Sequence, residues 1–438
     1  MSRASDGTAD GPRAREPSAG PGGAAVRAAA DGVRPDGERR RLLGGIGATL
    51  IAGGAAPLAA RADVPPSWRA AGAGFTNYGL PAADTGLVRW ITHEPSAPGN
   101  GASWTPLHAL AGAITPNGLH FERHHNGVPT LDPTRWSMTL EGLVRRPLTL
   151  DLEALRRRPQ RAVIAVLECG GNSNALWRET PVQAPSGWLH GLVSSGEWSG
   201  VPLAALLDEA RPRKGASWLV ATGLDGAGVT VSLPLATLPP GALVALHRNG
   251  EPLRPEHGWP ARLLLPGHEG IASVKWLGRL ELSDRPAMSR FDSVAYTDLG
   301  KGGVARRFSR VMGVKSVLTS PSVGDTLEPG PLELSGLAWS GAGAIRRVEV
   351  SVDGGRHWRD AALEPPVLER AFVRFRLPWR WERGAGALLQ TRAEDTSGRV
   401  QPTRAALLDA RGANGYYHYH AILSASVEPD GRVRHVHA

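Results

Sequence analysis

One cysteine, Cys169, stands in a chain of 438 residues. A single thiol excludes an internal disulfide, a CxxC zinc or redox pair, a cysteine-ligated iron–sulfur cluster and the CxxCH attachment of a c-type haem. If electrons pass through this chain, they leave through a partner. Lysine is nearly as scarce, with only Lys214, Lys275, Lys301 and Lys315, so the net charge of +9 rests on dispersed arginine. Without a dense basic run the chain does not read as a nucleic-acid binder, and an affinity for small anions is what the charge leaves. Four Met and six Phe against 14 Trp and 55 Gly fit strands and turns better than a helical bundle. The apolar stretch 42–60 holds five Gly and Pro57, which makes a poor membrane-spanning helix.

The length exceeds one ordinary domain, and 41% hydrophobic residues suffice for two cores. The first 38 residues are Gly, Ala, Arg, Pro and Asp with almost no large apolar side chain, a composition that does not offset its ordering entropy. Arg39-Arg40-Arg41-Leu42-Leu43, the weakly apolar stretch and Ala60-Arg61-Ala62 together resemble a twin-arginine export leader over residues 1–62. That route carries folded cargo, so the expectation is a periplasmic protein that receives a cofactor before export.

Residues 63–312 mix short strands and helices into an α+β pattern. Trp136 to Val144 alternates as a strand, Asp151 is placed to cap a helix over 152–158, and Ala162 to Leu167 is an apolar run expected as a strand buried on both faces. A helix is expected at 203–210, with strands at 218–221 and 243–247, the latter turning at Asn249-Gly250. No glycine-rich phosphate fingerprint follows a strand. Residues 313–425 read differently: alternating segments at 332–337, 347–352, 372–377 and 387–393, separated by turn residues, predict an immunoglobulin-like β-sandwich followed by a tail over 426–438.

Three clusters carry candidate chemistry. Cys169 leaves the buried strand in Glu168-Cys169-Gly170-Gly171-Asn172, where two glycines let the backbone turn closely around a ligand. An inert buried thiol competes with a nucleophile or a soft metal ligand. His120 to His125 reads as a loop that presents Arg123 and an imidazole to an anion, since adjacent histidines in extended chain do not converge on one metal. His257-Gly258-Trp259-Pro260-Ala261-Arg262 and Ser273-Val274-Lys275-Trp276 offer three donors around a Gly- and Pro-shaped turn, suited to a phosphate or pterin. An exposed hairpin is the competing reading.

In this order and spacing the clusters resemble the sulfite oxidase family of molybdenum enzymes. The resemblance rests on His-Gly-Trp-Pro-x-Arg-x-x-x-Pro-Gly from His257, on Ser273-Val274-Lys275-Trp276-Leu277 and on Arg347-Val348-Glu349-Val350-Ser351-x-Asp353-Gly354-Gly355-x-x-Trp358. Lys315-Ser316-Val317, Ala338-Trp339-Ser340-Gly341, Arg374 to Trp379 and the tail Gly415-Tyr416-Tyr417-His418-Tyr419-His420 are similar to the sulfane dehydrogenase branch of that family. The resemblance implies a molybdenum–molybdopterin cofactor, no haem in this chain, and oxygen-atom transfer to sulfur. It makes Cys169 the thiolate ligand of molybdenum, with Arg123 facing an anionic substrate and Tyr296 close to the reacting group. It assigns the cofactor to Phe121, Arg123, His124, His125, Cys169, Asp225, His257, Arg262, Ser273 and Lys275. It also implies a homodimer through the C-terminal domain, a c-type cytochrome partner, and a further substrate arginine near Arg374 or Arg376.

Two departures from the family pattern bear on substrate. His124 stands where an Asn usually follows the loop arginine, and Asn174 stands where an arginine is usual. Losing a fixed cation weakens capture of a small dianion, so the expectation is a sulfur atom presented on a larger carrier protein. Two other readings are a sulfoxide reductase on the same scaffold and a secreted binding module.

Overall fold

The computed structural model describes residues 77–79, 81–82, 86–93, 99–299, 304–307, 310–413 and 415–437. The expected leader over 1–62 lies outside the described residues, as does the start of the first domain at 63. From Leu80 onward the chain belongs to one compact unit.

The first domain is built on two five-stranded sheets. In one, the strands run in the order Leu148–Asp151, Ser137–Gly142, Leu277–Ser283, Trp218–Gly223, Thr230–Pro234, with the second and third parallel and the rest antiparallel. The alternation expected from Trp136 onward is visible in its burial: Met138 and Leu140 are fully enclosed, and Leu280 and Leu219 join them in one core. Asp151 ends its strand by accepting the Ala154 amide at 2.6 Å, which starts the helix Leu152–Arg156. Arg157 and Arg158 close that helix as a turn, two residues earlier than the sequence pattern suggested.

The other sheet places the cysteine. Its order is Glu251–Pro252, Leu243–Arg248, Val193–Pro202, Arg161–Glu168, and Arg262–Leu264 also pairs with Leu243–Arg248. Arg161–Glu168 is exposed at its start and buried only from Ala165 onward, so the expected two-sided burial holds for its second half alone. That half delivers Cys169 into the interior. The Asn249-Gly250 pair takes positive φ at both positions, +48° and +79°, closing the predicted tight hairpin. A third sheet, Trp90–His93, Gly101–Trp104 and Glu122–His124, takes in the histidine-rich segment as its third strand, where the sequence suggests a loop.

The C-terminal domain is a two-sheet sandwich. Lys315–Ser320, Gly330–Trp339, Val373–Trp381 and Ala362–Leu363 form one sheet; Arg359–Asp360, Ile345–Ser351, Ala387–Asp395, Leu423–Val427 and Val433–Val436 form the other. Leu334 and Phe375 from the first meet Val348 and Leu389 from the second in a single core. The segment after 425 is not a free tail: Val433–Val436 pairs antiparallel with Leu423–Val427, because Asp430-Gly431 turns the chain back and Val427 and Val433 join the sandwich core. Helices are few and short among the described residues, the longest spanning eight. None is long and apolar enough to cross a membrane.

Candidate active site

A cleft opens where the Cys169 strand, the Glu122–His124 strand and the Ser273 to Trp276 turn converge. Arg123, His124, His125, Cys169, Asp225, Arg262, Ser273, Lys275, Tyr296 and Phe121 all contribute to its wall. Cys169 keeps part of its surface open to the cleft, and its backbone is fixed by a 2.9 Å bond from its amide to Leu192 and by the Asn172 amide donating to its carbonyl at 2.8 Å. Burial pushes the Cys169 thiol up, while Arg123 and the Gly171 amide pull it down. A cation seated in the cleft is what this thiol needs to act as a thiolate. Gly170 is required by proximity, since a Cβ there would stand 2.5 Å from the Glu269 carboxylate.

The histidine pair splits to opposite sides as extended backbone requires. His124 accepts from Lys275 Nζ through Nδ1 at 2.7 Å and faces Glu122 through Nε2 at 2.8 Å, a network that assigns the neutral tautomer with its proton on Nε2. Burial drives His124 below its ordinary value and lowers His125 to about 4, with Arg123 and Lys275 adding to the latter. His125 is therefore neutral at pH 7, and its Nε2 lies 3.5 Å from the Tyr296 hydroxyl. Burial raises the Tyr296 phenol well above its usual range, so it stays a proton donor. Arg123 is steadied by Asn100 Oδ1 at 2.8 Å and by the His124 carbonyl, which leaves its guanidinium at the mouth.

The inner end is cationic. Arg262 Nη1 and Nη2 donate to the carbonyls of His257 (3.0 Å) and Ser273 (2.7 Å), and its Nε, enclosed by protein, has no hydrogen-bond partner. Lys275 Nζ donates to the carbonyls of Arg123 and Glu256 and stands 4.1 Å from the Trp276 ring centroid. Among the described residues neither Arg262 nor Lys275 has a carboxylate within ion-pair distance. Burial lowers Arg262 to about 9 and takes Lys275 well below its ordinary value, the latter with help from Arg262. Gly258, at φ +108°, lets the two turns lie together: a Cβ there would be 3.0 Å from Lys275 Cβ and 3.1 Å from Arg262 Cβ. Uncompensated buried cations are costly, and an anionic ligand removes that cost.

Three placements differ from expectation. His257 does not line the cleft; it packs one layer behind, edge-on to His120 with ring centroids 4.5 Å apart, and among the described residues neither of its nitrogens has a hydrogen-bond partner, although Nε2 lies 3.9 Å from the Glu256 carboxylate. Burial and the cations Arg248 and Arg262 hold it down to about 2, hence neutral. Arg374 and Arg376 do not reach the cleft. Val373, Phe375 and Leu377 fill the sandwich core, which turns both arginines to the other face of their strand. There Arg374 donates to the carbonyls of Leu110 (2.8 Å) and Gly112 (3.1 Å), and Arg376 pairs with Glu364 and Glu333.

The mouth also holds residues to which the sequence reading gave no catalytic or cofactor role. Tyr416 and Tyr417 line it with Asn174, Trp104 and Asn100, and the Tyr417 ring lies 4.7 Å from that of Tyr296. A signal was present, since three of the chain's five tyrosines fall within 416–419. His120 and Trp276 likewise line the inner cleft.

The profile of the oxidoreductase molybdopterin binding domain matches residues 125–291, and that of the Mo-co oxidoreductase dimerisation domain matches 306–424. Chicken sulfite oxidase is 34% identical over 313 residues, covering 66% of this chain and 68% of that protein. The chain belongs to the sulfite oxidase family. Rat mitochondrial sulfite oxidase is 32% identical over 337 residues, 70% of this chain, and the match spans 61% of the rat protein's length. The crystal structure of the sulfane dehydrogenase SoxCD from Paracoccus pantotrophus superposes with a TM-score of 0.82 at 39% identity, covering 86% of this chain and 98% of the other. The family's cofactor is a molybdenum–molybdopterin, and the residues fit it: a soft thiol at one end of the cleft, unpaired buried cations at the other for an anionic, hydrogen-bonding group.

Proposed function

We propose that this chain oxidises sulfur compounds by oxygen-atom transfer, preferentially sulfane sulfur carried on a protein arm, and passes electrons to a c-type cytochrome. The observation that carries the reading is the cleft itself, with Cys169 between a cationic pterin end and a mouth walled by tyrosines. The Paracoccus structure, a sulfane dehydrogenase, supports the choice within the family. When bound, the cofactor supplies the two-electron redox chemistry and the transferable oxygen. Cys169 would hold the metal, and Arg262, Lys275, Asp225, Ser273, Phe121, His124 and His125 would hold the pterin end, with His257 supporting them from behind. Arg123 then offsets negative charge on substrate oxygens, and Tyr296, protonated by virtue of its burial, donates a hydrogen bond towards the reacting atoms. The leader-like segment 1–62 supports export to the periplasm, and the C-terminal domain supports a homodimer.

Purified protein is expected to contain molybdenum and pterin in equal amounts and to reduce cytochrome c with a sulfur donor. Absence of molybdenum sinks the reading. Faster turnover with a sulfoxide and a reductant than with any sulfur donor reverses the direction assigned. Arg123→Gln is expected to lower kcat/KM for anionic substrates by about tenfold or more, because a charge-assisted contact contributes roughly 1.5 to 3 kcal/mol. An unchanged kcat/KM removes Arg123 from substrate capture.

Asn174 tests the substrate class. It lies at the mouth beside the tail tyrosines, where family members usually offer a cation. Asn174→Arg is expected to raise kcat/KM for free sulfite by roughly tenfold to a hundredfold and to impair turnover of carrier-bound sulfane, since the new guanidinium both attracts the dianion and narrows the entry. Wild-type protein that oxidises free sulfite as efficiently as the carrier-bound form leaves Asn174 no discriminating role.

A further inference from the structure

The loop that carries Cys169 is gripped from the C-terminal domain at three points. Lys315, on the first strand of the sandwich and almost wholly enclosed, donates from Nζ to Glu168 Oε1 at 3.0 Å and to Ser173 Oγ at 2.7 Å, so one ammonium bridges the two ends of the loop. Trp339, on the neighbouring strand, donates its indole N–H to the other Glu168 oxygen at 2.8 Å. His418, between the helix Arg404–Arg411 and the strand Leu423–Val427, donates its backbone amide to the Gly170 carbonyl at 2.7 Å and pairs through its ring with Glu269. Inside the loop Asn172 adds a 2.9 Å bond to Glu168 and accepts the Leu192 amide at 3.1 Å, and Ser173 meets His190 at 2.8 Å. None of the side chains of Lys315, Glu168, Ser173, Trp339 and His418 lines the cleft that holds the thiol.

We propose that Lys315 is a positioning residue for the thiol: the domain matched as a dimerisation module also fixes the direction from which Cys169 meets its metal, through the Lys315–Glu168–Ser173 bridge. A module needed only for pairing has no reason to send its buried lysine across the domain boundary. Four donors converge on the carboxylate and loop at hydrogen-bond distance, and a thiol placed within a few tenths of an ångström is what a metal ligand requires. The inference rests on Cys169 being that ligand.

The test uses Lys315→Met and the double variant Glu168→Gln/Lys315→Met, which leaves no unpaired buried charge and so keeps the fold accessible where the single variant does not. In both, amide exchange over residues 168–174 is expected to quicken by roughly tenfold or more, in protein with and without cofactor, while exchange across 345–350 in the sandwich core stays as in wild type. In the loaded enzyme kcat is expected to fall about tenfold with KM within about twofold, and the molybdenum(V) paramagnetic signal is expected to shift. Wild-type exchange over 168–174 in the double variant overturns the bridge. Faster exchange with unchanged kcat and signal overturns its bearing on the thiol. Because the exchange readout does not depend on metal, an active Cys169→Ser would refute the ligand assignment without touching the bridge.

Discussion

Cys169→Ser is expected to lower kcat by more than about a thousandfold, roughly 4 kcal/mol of barrier, while thermal unfolding of the protein stays within a few degrees of wild type. A hydroxyl is a harder, less donating ligand than a thiolate and does not ionise near neutral pH. The fold has little stake in the sulfur: Cys169 is half-buried at the cleft, and what anchors its loop are backbone bonds to Leu192 and Asn172 and the side chains of Glu168 and Ser173. The two measurements separate the roles. Activity within about tenfold of wild type refutes ligation, and a fall in unfolding temperature as large as that of a core truncation shows the residue to be structural.

The contrast between what was legible in the sequence and what was not follows from where the information sits. The strand that ends at Cys169 announced itself because its residues must be apolar to be buried, and the sandwich strands did so through simple alternation. Val193–Pro202 is the longest strand of its sheet and was not foreseen, because its sequence reads as a loop: Ser194-Ser195-Gly196-Glu197-Trp198-Ser199-Gly200. Packing demands those small residues. A Cβ on Gly196 would lie 2.7 Å from the Arg248 guanidinium, and one on Gly200 would lie 2.1 Å from the Val244 carbonyl.

The site divides in the same way. Cys169, Arg123 and the Arg262 and Lys275 turns are recognisable by local spacing, and the fold brings them to one cleft. Tyr416 and Tyr417 enter that site from more than a hundred residues beyond the nearest of these, so no local pattern ties them to it. Arg374 and Arg376 show the opposite error: two arginines one residue apart on a strand share a face, and here that face looks away from the cleft towards Leu110, Gly112 and a pair of surface carboxylates.

Lys275→Met is expected to separate stability from function with opposite signs. On the proposed reading Lys275 would supply positive charge to the pterin end of the cleft, and its removal is expected to reduce molybdenum content per chain by about tenfold or more. In cofactor-free protein the same ammonium is a liability, drawn from solvent beside Arg262 with carbonyls, the His124 ring and the Trp276 face as its contacts and only the more distant Glu122 and Asp225 to offset its charge. Replacing it with an apolar side chain of similar length is expected to raise the stability of that form by about 1 kcal/mol, read from the denaturant midpoint. A pH series sharpens the test. Since burial lowers the folded-state value of Lys275, the unfolded chain binds more protons between that value and the ordinary lysine range. Cofactor-free wild type therefore gains stability as pH rises through that window, and Lys275→Met lacks this gain. A variant that loses both molybdenum and stability would make Lys275 a structural residue whose effect on the cofactor is secondary.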